Sequence, residues 1–217
     1  MGKIKGIIFD MDNTILRSNI DFEGMKQETF LFLVSRGICS KELELANHTT
    51  ATIIEKATSS SKMTKELLSE MWEIPRRFEV EGMKGAALEE GVVDTLDELQ
   101  ATCRLAVVTN NSIQAAERAL RENNIYDYFT YIVGRETMGS LKPSPNGYNF
   151  VLNRCNDIPL EDWISVGDSW IDGAAASAAG VTFISYRGDL DKMNRMGVFP
   201  FATITSFREI KNYIVYN

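Results

Sequence analysis

The sequence predicts an α/β fold: a doubly wound parallel sheet that receives an all-helical insert after its first strand. Three observations carry this. Short runs such as "IKGIIFD", "RLAVVTNN" and "WISVGDS" are apolar on both faces, β-branched or aromatic, and end in Gly, Asp, Asn or Thr. Strands of a parallel sheet covered by helices on both sides read this way. From about residue 88 such runs alternate with helical stretches, as right-handed βαβ crossovers require. Residues 20 to 84 break that rhythm and show helical periodicity throughout.

Taken in chain order, "IKGIIFD" is the first strand. "DFEGMKQETFLFLVSRG", "SKELELANHTTATIIEKAT" and "MTKELLSEMWEIPRRFEVEG" each read as an amphipathic helix, with Leu67, Leu68, Met71 and Trp72 at helical spacing. Gly37 and Ser59 to Ser61 are natural breaks, and Pro75 is expected to kink or end the third helix. The sheet resumes near Gly91, with helix "VVDTLDELQAT", strand "RLAVVTNN", helix "IQAAERALREN" and strand "YIVGRE". Helix "PNGYNFVLNRC", strand "WISVGDS", helix "DGAAASAAG" and strand "VTFISYRG" follow. "SFREIKNYI" reads as a closing helix with Ser206 as its N-cap. The expected division is a core of residues 1–18 and 85–217 and a helical domain of residues 19–84.

The 217 residues allow one large domain, or a medium one carrying an insert. With 44% hydrophobic and 24% charged residues there is ample material for a core. No apolar run approaches a membrane span, and Met1 to Gly6 is too short and polar for a signal peptide, so a cytoplasmic protein with no membrane partner is expected. Cys39, Cys103 and Cys155 are widely spaced without any CxxC or Cys/His cluster, so neither a disulfide framework nor a structural zinc site is indicated. The net charge of −7, with no basic run to offset it, argues against nucleic acid.

Ligands of open α/β sheets bind beyond the carboxyl ends of the strands, so the strand-ending residues are the candidates for chemistry. The first strand delivers Asp10 and Asp12, with Asn13 and Thr14 behind them. "LAVVTNN" delivers Thr109 and Asn110, and "WISVGD" delivers Asp168, with Asp172 four residues on. "SLKPSPNGY" adds Lys142 before a Pro-Ser-Pro turn. Clustered carboxylates repel one another unless a cation joins them, and hard oxygen ligands with room for water and phosphate suit Mg²⁺. A hydroxyl, backbone amides and one lysine match the equatorial oxygens of a phosphoryl group. A carboxylate beside the metal can attack phosphorus, and a second, two residues along, can move protons.

Hydrophobic strand–Asp-x-Asp-x-Thr, strand–Thr, Lys and Gly-Asp-x-x-x-Asp, in that order, resemble the haloacid dehalogenase-like (HAD) superfamily. The helical insert after the first motif is similar to the type-1 cap of phosphoglycolate-phosphatase-like members, and the likeness extends over essentially the whole chain. The resemblance implies a Rossmann-like core with a cap domain, and a Mg²⁺-dependent phosphatase acting on a small phosphorylated metabolite through an aspartyl-phosphate. It makes Asp10 the nucleophile and Asp12 the acid/base. Thr109 and Lys142 would hold the phosphoryl oxygens; from their positions alone, Asn110 at the same strand end and Arg17 shortly after the first motif are further candidates for phosphate or substrate. The metal would rest on Asp10, Asp168 and the Asp12 carbonyl. Asp172 would orient Lys142 or a water from behind, with direct ligation open. Dehalogenating members lack Asp at the second acidic position, so Asp12 favours phosphoryl chemistry. Sugar phosphates and phosphoglycolate are the leading substrates.

Rival readings share parts of this pattern. A phosphoglucomutase-like enzyme would return the phosphoryl group to substrate, and a phosphonatase-like one would need a Schiff-base lysine that neither Lys26 nor Lys41 marks itself as. A receiver-type signalling module would place adjacent acidic residues after strand one, where this chain has Asp-x-Asp followed by helices. The bland alternatives are an Asx turn for Asp10 and Asp12, a strand residue for Thr109, a solvated Lys142 and Arg17, and a helix cap for Asp168. His48, the sole histidine, reads as a surface residue, and Arg76 and Arg77 as a charged helix face. Trp170 stays open between packing and substrate contact. Oligomeric state is not read from the sequence.

Overall fold

The computed structural model describes residues 4–214. It divides into two compact units, one of residues 1–17 and 86–217, the other of residues 18–85. The chain begins with strands β1 (Gly6–Phe9) and β2 (Leu16–Arg17). Helices α1 (Phe22–Ser35), α2 (Thr50–Thr58) and α3 (Lys65–Gly82) make up the second unit. The first unit resumes with β3 (Ala87–Leu88), α4 (Val92–Leu99), β4 (Arg104–Val108), α5 (Ile113–Glu122), β5 (Tyr131–Val133) and α6 (Arg135–Met138). It ends with α7 (Asn146–Arg154), β6 (Trp163–Gly167), α8 (Trp170–Ala178), β7 (Thr182–Tyr186), α9 (Leu190–Arg195) and β8 (Ala202–Ile204).

Among the described residues the main sheet has six strands in the order β5-β4-β1-β6-β7-β8, all parallel. The chain winds outward from β1 through β4 and β5 and then, on the other side, through β6, β7 and β8. This is the α/β, Rossmann-like core expected. Ile7, Ile8 and Phe9 are fully buried, because helices cover both faces of a parallel sheet. Phe9 pairs in register with Val107 of β4 and Val166 of β6, which sets the carboxyl ends of the three central strands level. Strand order reverses there, the position at which open α/β sheets bind their ligands. β2 and β3 pair antiparallel as a small ribbon on either side of the inserted segment.

In the helical unit, α1 packs on α2 and α3 around Phe30, Leu33, Ile53, Ile54 and Met71. Each helix starts at a side-chain cap: Asp21 Oδ1 accepts from the Gly24 N–H at 2.8 Å, Thr49 from Thr52 at 3.3 Å and Thr64 from Leu67 at 3.2 Å. Such a cap satisfies a backbone donor that has no partner within the helix.

Several elements differ from the sequence reading. Residues 40–48 are not helical apart from a 3₁₀ turn at Leu45–Asn47, because Thr49 sits extended and its cap sets the start of α2. Pro75 lies inside α3 and does not end it. A proline forfeits one backbone bond, and burial of Met71 and Ile74 in the turn before it outweighs that loss. The C-terminal segment is a 3₁₀ helix, Phe207–Tyr213, with Glu209 Oε1 accepting the Ser206 N–H at 2.8 Å. The short elements α6, α9 and β8 carry too few residues for a periodic signal.

Candidate active site

Past Phe9 the chain leaves the sheet in a tight turn. Met11 O accepts the N–H groups of Ile15 and Leu16 at 3.0 and 2.9 Å, and Asn13 takes a left-handed φ of 56°. Asparagine tolerates that region better than most residues. The turn leaves Asp10 and Asp12 buried at the end of β1, with Thr14 Oγ1 donating to Asp10 Oδ2 at 3.4 Å.

Lys142 arrives from the loop before α7 and is 1% exposed. Its Nζ donates to Asp10 Oδ1 at 2.6 Å and to Val108 O at 2.7 Å, and lies 2.7 Å from Asp172 Oδ1. An ammonium has three donors, and three acceptors surround this one. Burial alone would lower the Lys142 pKa, but Asp10 and Asp172 outweigh it and raise it, so the group stays charged. Asn110 fixes the lysine from behind: its Nδ2 donates to Lys142 O at 3.1 Å and its Oδ1 accepts the Lys142 N–H at 2.9 Å. The Asn110 amide, expected at the phosphate, is therefore committed to the lysine backbone.

Beyond β6, Asp172 Oδ2 accepts the Ser169 N–H at 3.0 Å. A Cβ on Gly167 would fall 2.7 Å from the Asp172 side chain, so only glycine lets the carboxylate fold back over the strand end. Carboxylate oxygens of Asp10, Asp168 and Asp172 lie within 4.8 Å of one another. Burial, and then the neighbouring carboxylates Asp10 and Asp172, push the Asp168 pKa well above the usual carboxylate range. Burial also raises that of Asp172 to about 6, with Lys142 opposing.

Thr109 is buried at the end of β4, its Oγ1 accepting the Asn111 N–H at 3.2 Å. Asp12 is held by a residue outside the expected set, Asn111, whose Nδ2 donates to Asp12 Oδ2 at 2.6 Å. The two-residue alternation that pairs Asp10 with Asp12 also pairs Thr109 with Asn111, and was the available signal. Tyr148 was missed as well. Its hydroxyl lies 2.8 Å from Ser165 Oγ and donates to Asp172 O at 3.4 Å, on a buried helix face that periodicity reads as core. Arg17 is not brought to the cluster: it lies exposed on β2, opposite Ala87. Trp170 is buried at the start of α8.

Residues 7–186 match the family described as haloacid dehalogenase-like hydrolase. The chain belongs to this family. A phosphoglycolate phosphatase of Vibrio vulnificus is 30% identical over 186 residues, covering 82% of this chain and 81% of its own. Another phosphoglycolate phosphatase, from Aliivibrio fischeri, is 29% identical over 188 residues, covering 82% of this chain and 81% of its own. The HAD-hydrolase YfnB of Bacillus subtilis, whose crystal structure with bound magnesium reveals interdomain movement, matches at a TM-score of 0.65 and 23% identity, over 99% of this chain and all of its own. At that identity the likeness speaks to the fold.

The residues present fit the divalent ion that HAD hydrolases use. The carboxylates of Asp10, Asp168 and Asp172 converge here on the ammonium of Lys142, with Asp12 buried two residues beyond Asp10. Burial first, and then the neighbouring carboxylates, raise the Asp168 pKa. A hard dication with oxygen ligands offsets their negative charge. Among the described residues, no helix is long and apolar enough to cross a membrane.

Proposed function

We propose that this phosphoric monoester hydrolase is a Mg²⁺-dependent phosphatase of small phosphate esters that works through an aspartyl-phosphate on Asp10. The observation that carries the proposal is the placement of Asp10. Its Oδ1 is held by Lys142 and its Oδ2 by Thr14, at the end of the central strand and beside Asp168. A carboxylate oriented on both oxygens is a prepared nucleophile.

In the first step an Asp10 oxygen bonds to phosphorus, the P–O ester bond breaks, and Asp12 gives its proton to the departing alkoxide. In the second, Asp12 takes a proton from water, the water oxygen bonds to phosphorus, and Asp10 leaves as a carboxylate. The sum is ester plus water to alcohol plus phosphate. Lys142 and Thr109 neutralise and orient the phosphoryl oxygens, where preorganised donors act most strongly. Asp172 and the Asn110 amide hold Lys142 in place. Asp10, Asp168 and the Asp12 carbonyl would hold Mg²⁺, which when bound supplies positive charge at the phosphoryl oxygens. The magnesium of the YfnB structure supports this choice of ion.

Substrate selection is assigned to the inserted helical unit, residues 18–85, which we read as the cap domain of the 19–84 division, with phosphoglycolate and sugar phosphates as first candidates. The phosphoglycolate phosphatase relatives support the former. The test is phosphate release from a panel of small phosphate esters, with Mg²⁺ and after exhaustive chelation. Turnover should require the metal and should vanish in Asp10→Asn. Unchanged turnover in that variant overturns the nucleophile, and turnover after chelation overturns the ion.

A further inference from the structure

Asn111 stands three residues beyond Val108, the last residue of β4, at 5% exposure, and its side chain donates to Asp12. Its backbone is pinned on both sides: the N–H donates to Thr109 Oγ1 at 3.2 Å, and the carbonyl accepts the Arg135 N–H at 2.9 Å. The amide donor thus cannot follow Asp12 if that carboxyl group turns. A bond of 2.6 Å is at the short end for an N–H donor. The amide nitrogen only donates, so it keeps Asp12 Oδ2 as an acceptor and favours Oδ1 as the oxygen that carries the exchanged proton.

We propose that Asn111 is a positioning residue that locks the Asp12 carboxyl group in the one orientation serving both proton transfers. The inference rests on the phosphatase reading above. In the first step the Asp12 proton passes to the ester oxygen as the P–O bond breaks. In the second the same oxygen takes a proton from water as the aspartyl-phosphate is hydrolysed. Between the two, alcohol leaves and water enters, and an unpinned carboxyl group would lose its aim during that exchange. Small losses of alignment at a reacting group cost large factors in rate.

The experiment separates the steps with p-nitrophenyl phosphate, whose leaving group departs without needing a proton. Single-turnover release of nitrophenolate reports the first step, and steady-state phosphate release reports the whole cycle. In Asn111→Ala, and in the smaller change Asn111→Ser, steady-state turnover should fall about 10- to 100-fold, as expected when acid–base catalysis is impaired. KM should fall with kcat so that kcat/KM stays nearly constant, phosphoenzyme should accumulate on acid quenching, and nitrophenolate release should slow by less than about threefold. The double variant Asp12→Asn/Asn111→Ala should be no slower than Asp12→Asn alone. Equal losses in both steps, no loss in either, or full additivity in the double variant would overturn the positioning role. Nitrophenolate release surviving in Asp10→Asn would overturn the aspartyl-phosphate on Asp10 that this inference rests on, a result distinct from all of these.

Discussion

A buried lysine survives folding only where its charge is matched, and Lys142 is matched by Asp10, Asp172 and the Val108 carbonyl. Removing one partner of such a network strands the others, at a cost of about 3–5 kcal/mol. Lys142→Met should therefore lower the thermal midpoint of the metal-free protein and abolish turnover. Adding Asp172→Asn to it should restore part of the stability and none of the activity, checked by parallel melting curves and phosphate-release assays. Gly167 makes a second test at this scale. The Cβ of Gly167→Ala would meet Asp172 at 2.7 Å, and overpacking of this kind costs about 1–3 kcal/mol. Because the displaced carboxylate orients Lys142, kcat should fall more than the melting point would suggest.

At the scale of the element, α2 and the turn before it form a small polar assembly. The Lys56 ammonium can only donate, so its 3.2 Å contact makes His48 Nε2 the acceptor and places the ring proton on Nδ1, facing Thr52 Oγ1 at 3.2 Å. Thr52 in turn accepts the Thr49 N–H at 2.9 Å, which closes the helix cap. The histidine expected at the surface is half-buried and works in this network. Partial burial, then Lys56 and Lys26, lower the His48 pKa below 6.5. A lowered histidine pKa means the unfolded chain binds more protons, so the contribution is intact above the unfolded pKa and is lost as pH falls through the folded one. From about pH 7.5 to about pH 5, His48→Gln should lose less thermal stability than the parent, read as the difference between the two melting profiles.

The whole molecule carries a net charge of −7 and still concentrates four carboxylates at the carboxyl ends of β1 and β6. The level register of the central strands gives this cluster its rigidity. A ligand that binds only the folded state raises stability by RT ln(1 + [L]/Kd), about 2.7 kcal/mol at a hundredfold excess over Kd. Mg²⁺ should therefore raise the melting temperature of the parent, and Asp168→Asn should abolish that rise while leaving the protein folded. A thermal-shift titration with MgCl₂ is the measurement, and equal shifts in the two proteins would place the ion elsewhere.

The strand-ending residues were legible because a parallel sheet writes its strands as apolar runs and its chemistry as whatever polar residue interrupts them. Asp10, Asp12, Thr109 and Asp168 stand at such interruptions, and Lys142 stands beside prolines that forbid a helix. The helical block was legible from its period, although Thr49's cap and the survival of α3 through Pro75 were not. Both depend on which of two local preferences packing favours. The sequence by itself thus determined the fold class, the order of the motifs and the family. Tertiary structure alone decided how the polar groups pair: Asn110 with the Lys142 backbone, Asn111 with Asp12, Tyr148 behind Asp172, and Arg17 away from the cluster. The physical reason is range, since periodicity reports neighbours a few residues apart, whereas Asn111 and Asp12 meet across 99 residues through strand register.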